Sequence, residues 1–173
     1  AEPLFRSQKA KWSEFDLESN YWNIPEDRTK GEKPHQVPLS TQLIILIKNI
    51  HDVNGHKEYL FPNQVNPKKY ISENTMNSAI KRMGFDATAH GMRTLFSSTT
   101  NEFGFNPDAI EKQLSHVDKN QVRSAYNRAQ YESERKMMVQ AWADFLDQLK
   151  RVPDIKKAEQ LLRTNVINFY NLS

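Results

Sequence analysis

The sequence contains no cysteine, which excludes a disulfide framework and any thiolate-held metal, and nothing argues for an oxidising compartment. It has no long apolar run either. The longest, Leu43 to Ile47, is far too short to span a bilayer, and no secretory signal opens the chain. Glycine is scarce, with five in all. None forms a glycine-rich phosphate loop, which argues against an NTPase. No two histidines have the H-E-x-x-H spacing of a zinc site. Excess charge is small as well: a formal +3 with a pI near 9.0 permits nucleic-acid binding without demanding it. Residues after Lys150 carry +2 of that excess.

What is present is enough chain, 173 residues, for one domain of ordinary size with its own core. Residues Arg6 to Lys11 read as the end of a short helix. From Phe15 to Leu39 apolar residues alternate with Asp, Asn, Pro and Gly, a pattern predicting two or three short antiparallel strands with a polar turn at Thr29-Lys30-Gly31-Glu32-Lys33. Ser40 should cap a helix from Thr41 to about His51, with Leu43, Ile44, Ile47 and Ile50 on one face. Helices are expected from Ser72 to Gly84, from His90 to Glu102, after the cap at Asn106-Pro107-Asp108, over about 120–128, and from Tyr131 to Lys150. Past Pro153, an amphipathic segment from Ile155 to Tyr170 either folds back on its own domain or docks on a neighbouring subunit. The expected fold is mainly α with a small antiparallel β-sheet near the N-terminus.

Two constellations could carry chemistry. In His90-Gly91-Met92-Arg93 two cationic-capable side chains stand three apart, so a helix start there puts both on one face. Such donors suit phosphate, which arginine grips bidentately. The bland alternative is an exposed histidine beside an unrelated arginine. Ten positions after His116 of Leu114-Ser115-His116 comes Tyr126, within Ala125-Tyr126-Asn127-Arg128. Taken singly, such a tyrosine is commonly a half-buried packing residue. Trp142 and Phe145 read as core rather than base-stacking platforms.

Together these boxes resemble the catalytic motifs of tyrosine recombinases, specifically integrases of phage and genomic islands. Trp12-Ser13-Glu14-Phe15-Asp16, Val37-Pro38-Leu39-Ser40, Lys81-Arg82-Met83-Gly84 and Ala141-Trp142-Ala143-Asp144 fit the same subgroup in the same order. The resemblance spans about residues 10–150. It implies the catalytic domain of a DNA breaking-rejoining enzyme over 1–152 and a C-terminal helical tail over 153–173. In such an enzyme Tyr126 attacks the scissile phosphate, forming a 3′-phosphotyrosyl link and releasing a 5′-hydroxyl. A second strand's 5′-hydroxyl then reverses the step. Neither a metal nor ATP is implied, because the bond energy is kept in the phosphotyrosine, so no cofactor is expected. Phenol ionises near pH 10, so attack needs proton removal or strong positioning. Negative charge gathering on the phosphorane calls for fixed cationic donors, each worth about 10²- to 10³-fold in rate.

By the resemblance, Arg93 clamps two phosphate oxygens, His90 binds the phosphate and accepts the nucleophile's proton, and His116 donates to a non-bridging oxygen. Lys30 protonates the departing 5′-oxygen, with Lys33 as its rival in the same turn. The implied partners are double-stranded DNA attachment sites, further copies in a tetrameric synapse and accessory DNA-bending proteins. The implied setting is a bacterial cytoplasm, on the nucleoid, with no membrane.

There are two departures from the family pattern. An earlier arginine is expected about nine residues before Trp12, where Pro3 stands between Glu2 and Leu4. Arg6 is nearby at the wrong spacing. The helices and the DNA-clamping domain that precede the family's catalytic core are also not in this sequence, so an N-terminally truncated fragment is expected. The first departure motivates an alternative, a catalytically degraded DNA-binding or regulatory module. A third reading, a type IB topoisomerase-like relaxase, shares the phosphotyrosine but rejoins the same strand.

Overall fold

The computed structural model describes residues 7–29, 33–115, 131–151 and 154–172. Its strands are β1 (Phe15–Asp16), β2 (Tyr21–Ile24) and β3 (His35–Pro38), followed by helices α1 (Thr41–Asn54), α2 (Glu73–Arg82), α3 (Ala89–Glu102), α4 (Pro107–Gln113), α5 (Glu132–Arg151) and α6 (Ile155–Leu172). The expected mainly helical fold with a small sheet is borne out. The expected helix over about 120–128 lies outside the described residues. Among the described residues no helix is long and apolar enough to cross a membrane. The chain divides into two compact units, Ala1–Val37 with Ile44–Leu95, and Pro38–Leu43 with Phe96–Ser173.

The first unit is built on the sheet, in the order β1-β2-β3. β1 and β2 are antiparallel, with Phe15 opposite Trp22 and Asp16 opposite Tyr21. Their tight turn follows from Asp16, whose Oδ1 accepts the N–H groups of Glu18 (3.1 Å) and Ser19 (2.9 Å), and from Asn20 in the left-handed region at φ 64°. Phe15 and Trp22 stack at 5.5 Å, and Tyr21 and Ile24 point into the core. Trp12 meets the His51 ring edge-on at 4.9 Å. A Cβ on Gly55, just past α1, would come within 2.5 Å of that ring, so any larger residue there must displace the imidazole from its contact with Trp12. Of the apolar stripe expected on α1, only Ile47 is buried. Leu43 is exposed, as are Ile45 and Leu46. Helical spacing fixes which side chains share a face, not whether the face is covered.

A second, smaller ribbon was not foreseen. Residues 10–12 run antiparallel to 58–60, through Leu60 N–H to the Ala10 carbonyl (2.8 Å) and Trp12 N–H to the Glu58 carbonyl (3.2 Å). Residues 61–63 pair in turn with 69–71, through Ile71 N–H to Phe61 (3.1 Å) and Asn63 N–H to Lys69 (2.8 Å). Ala10 and Leu60 are buried beneath it.

The second unit has one continuous core. Phe103, Phe105, Ile110 and Leu114 meet Met138, Ala141 and Phe145 of α5 and Ala158, Leu162 and Val166 of α6. Trp142 packs at the edge of this cluster, edge-on to Phe96 at 5.5 Å. Within this unit, then, α6 folds back on α5. Its last turn is tied down by the Tyr170 hydroxyl, which donates to the buried Glu134 carboxylate and accepts the Asn106 N–H at 3.0 Å. Gly104, at φ 87°, ends α3 in a conformation that costs other residues a Cβ clash. Asn106 opens α4 by accepting the Asp108 N–H at 2.9 Å, with Pro107 in the first turn. Gln42 donates to Asp144 (2.7 Å) and Asp147 (3.2 Å), and Gln140 accepts the Thr41 N–H (3.0 Å). Residues 38–43 are thereby fixed along α5.

Candidate functional site

The first turns of α3 carry the described part of the expected site. The Thr88 hydroxyl accepts the Gly91 N–H at 3.0 Å, and Asn77 Oδ1 from α2 accepts the Ala89 N–H at 3.2 Å. Two of the amide donors that a helix start leaves unpaired are satisfied in this way. The cap fixes where His90 and Arg93 begin their turn, and their spacing places both on one side of the helix. His90 is exposed and Arg93 half-buried. The positive end of the helix dipole adds to whatever charge these side chains carry. An imidazole, a guanidinium and a helix N-terminus on one face make a place suited to a phosphate.

The expected turn around Lys30 is framed from both ends. The Thr29 hydroxyl donates to the Lys33 carbonyl at 2.6 Å and accepts the Lys33 N–H at 3.2 Å. Behind it, the buried Glu14 carboxylate accepts the Trp22 indole N–H at 2.9 Å and pairs with the Arg28 guanidinium. Gln36 of β3 donates to Asn23 of β2 at 3.1 Å. Lys30 itself lies outside the described residues, while Lys33 is described and exposed. His35, at the start of β3, is buried at 7% exposure.

Leu114 caps α4 and enters the core, and Ser115 turns the chain through the left-handed region at φ 54°. Beyond it, the Tyr131 hydroxyl donates to Asp108 (3.3 Å), and Arg135 Nε donates to Gln113 Oε1 (3.0 Å). The start of α5 is therefore held against α4. His116 and Tyr126 lie between these anchors, outside the described residues. Arg6 lies outside them too. The structure thus brings His90 and Arg93 together on one helical turn. Among the described residues no group of three His, Asp or Glu side chains is placed to hold a metal ion.

Sequence reasoning missed Glu14, Thr88 and Asn77 as positioning groups, and Glu134 and Arg135 as buried ones. Glu14 lies inside a quoted motif, and Thr88 stands two residues before His90 at a cap position. Either signal was available. Nothing local distinguishes Glu134 from an ordinary acidic residue in a first helical turn.

Residues 7–133 match the family model described as the phage integrase family. The chain belongs to that family. This integrase-family chain is 40% identical over 140 residues to the prophage integrase IntA of Escherichia coli (strain K12), covering 80% of this chain and 34% of that protein. It is also 40% identical over 156 residues to the integrase of Enterobacteria phage P4, covering 80% and 36%. With the integrase of Shigella phage Sf6 it shares 38% over 144 residues, covering 82% and 37%. The chain therefore spans about a third of the length of these relatives. Among solved structures, that of XerA recombinase resembles it with a TM-score of 0.56 at 18% identity, covering 75% of this chain and 53% of that one. That last likeness is one of fold. It agrees with the recombinase-type catalytic fold expected from the motifs.

Proposed function

We propose that this integrase-family chain is the catalytic part of a site-specific DNA recombinase, acting through a 3′-phosphotyrosyl link at Tyr126 to integrate or excise a mobile element. The observation that carries the reading is the pair His90 and Arg93 on the capped first turns of α3, in a chain matching the integrase family over residues 7–133. Arg93 grips the scissile phosphate, and His90 binds it and takes the phenolic proton as Tyr126 attacks. His116 donates to a non-bridging oxygen, and Lys30 delivers a proton to the leaving 5′-oxygen. Thr29 and Lys33, bonded to each other on either side of residues 30–32, support the choice of a lysine from this turn for that role. In this reading residues 1–152 are the catalytic domain and 153–173 its tail. The substrate is a duplex attachment site on bacterial chromosomal DNA, held in a tetrameric synapse with accessory DNA-bending proteins.

The test is a nicked suicide duplex bearing the attachment site. The expected result is a covalent protein–DNA adduct that disappears in Tyr126→Phe. Arg93→Ala should abolish the adduct while keeping much of the DNA affinity, because contacts spread along the backbone dominate binding. Binding without an adduct in the unsubstituted protein would overturn cleavage in favour of a DNA-binding or regulatory role.

A further inference from the structure

The ribbon formed by residues 10–12, 58–63 and 69–71 presents a surface in which lysines and tyrosines interleave. Lys11 and Tyr59 face each other across its first pair, and Tyr70 faces Pro62 across its second. The two tyrosine rings meet edge-on at 5.5 Å. Lys9 Nζ lies 5.4 Å from the centre of the Tyr70 ring, and Lys11 Nζ lies 5.6 Å from that of Tyr59. The ammonium groups thus sit over ring faces, whose quadrupole attracts a cation and restricts the long stems. Lys11 also pairs with Glu58 at 2.8 Å.

The loop joining the last two segments adds Lys68 and Lys69, both exposed. It is a tightly bonded turn. Asn63 Oδ1 accepts the N–H groups of Val65 (2.9 Å) and Asn66 (3.0 Å), Asn66 Oδ1 accepts that of Lys68 (3.2 Å), and Lys69 N–H reaches the Asn66 carbonyl (2.9 Å). From Tyr59 through Ser72 the sequence has no acidic residue. Cations are therefore concentrated on a rigid support while the net charge of the whole chain stays near neutral.

We infer that Lys9, held over the Tyr70 ring, and the exposed Lys68 and Lys69 of the adjoining loop form a second contact surface for the phosphate backbone of duplex DNA, one that uses none of the groups proposed for cleavage. Lys9, held over an aromatic ring, loses less freedom when it closes on a phosphate, and the neighbouring phenolic hydroxyls are themselves phosphate donors. The surface contributes affinity without sequence information, because it offers ammonium charges rather than planar forks suited to base edges. The inference rests on the proposed DNA-recombinase reading and extends it to how the duplex is held.

The test compares the unsubstituted protein with a Lys9→Gln, Lys68→Gln, Lys69→Gln triple variant, using fluorescence anisotropy on a labelled mixed-sequence duplex over a salt series. Removing one lysine–phosphate pair should make the slope of log affinity against log salt shallower by about one, so a change of about three is expected for the triple variant. Arginines at the same three positions should restore the slope. The rate of adduct formation on saturating suicide substrate should be unchanged. An unaltered slope and affinity in the glutamine variant would overturn the inference while leaving DNA binding by the chain intact. No binding by the unsubstituted protein would instead sink the recombinase reading, and this inference with it. Equal melting temperatures of the variants would assign any weakening to the DNA-facing surface rather than to the fold.

Discussion

The strongest stability prediction concerns Glu14. Its side chain is 8% exposed and that of its partner Arg28 is 11% exposed, so neither charge has much water to fall back on. The same carboxylate accepts the Trp22 indole N–H at 2.9 Å. Glu14→Ala takes the carboxylate from a guanidinium and an indole donor together. Removing one partner of a buried pair costs about 3–5 kcal/mol, against about 0–1 kcal/mol for an exposed one. For a chain of this size each kcal/mol shifts the melting temperature by about 2–4 °C. A fall of roughly 6–20 °C is therefore expected for Glu14→Ala. Urea unfolding followed by tryptophan fluorescence checks it, since Trp22 reports on the perturbed site. Glu14→Gln, which keeps an acceptor for Trp22 but not the charge for Arg28, should fall between. The double variant Glu14→Leu, Arg28→Met should lose less than the two single changes added together, because both charges of the buried pair are then removed at once. A destabilisation below about 1 kcal/mol in Glu14→Ala would refute the reasoning and class the pair as solvated.

Two further outcomes test the second unit. Leu162→Ala, at a fully buried position in the α6 contribution to the core, should cost about 2–5 kcal/mol by denaturant unfolding, whereas a helix docked only on a neighbouring copy would make that cost depend on protein concentration. Burial, and then the hydrogen bond to Glu134, pushes the Tyr170 phenol up to about 12 from 10.0. A raised folded value means the contribution is fully present below pH 10 and is lost as pH climbs from 10 towards 12; melting temperatures across that range should fall more steeply than in Tyr170→Phe.

Much of the architecture was legible because its signals are local. Asn106-Pro107-Asp108 announced α4 through cap chemistry, and Gly104 marked the end of α3 by supplying a positive φ. The His90–Arg93 spacing placed both side chains on one turn, as found. The ribbon of residues 10–12, 58–63 and 69–71 was not legible, since its segments are too short to alternate and its pairing joins distant parts of the chain. The burial of Glu134 and Arg135 depends on what α4 and α6 bring to them, which no spacing within α5 encodes. Of the proposed site, Lys30, His116 and Tyr126 lie outside the described residues and stand on motif order alone.

The bond from Gln42 to Asp144 joins positions 102 residues apart. A ribosome adding about 5–20 residues per second makes the two sides of that bond roughly 5–20 seconds apart. The strip from Pro38 to Leu43 therefore emerges long before the helix that receives it. That early strip cannot settle until the helix that receives it has been made, so the start of α1 waits on residues translated about a hundred positions later.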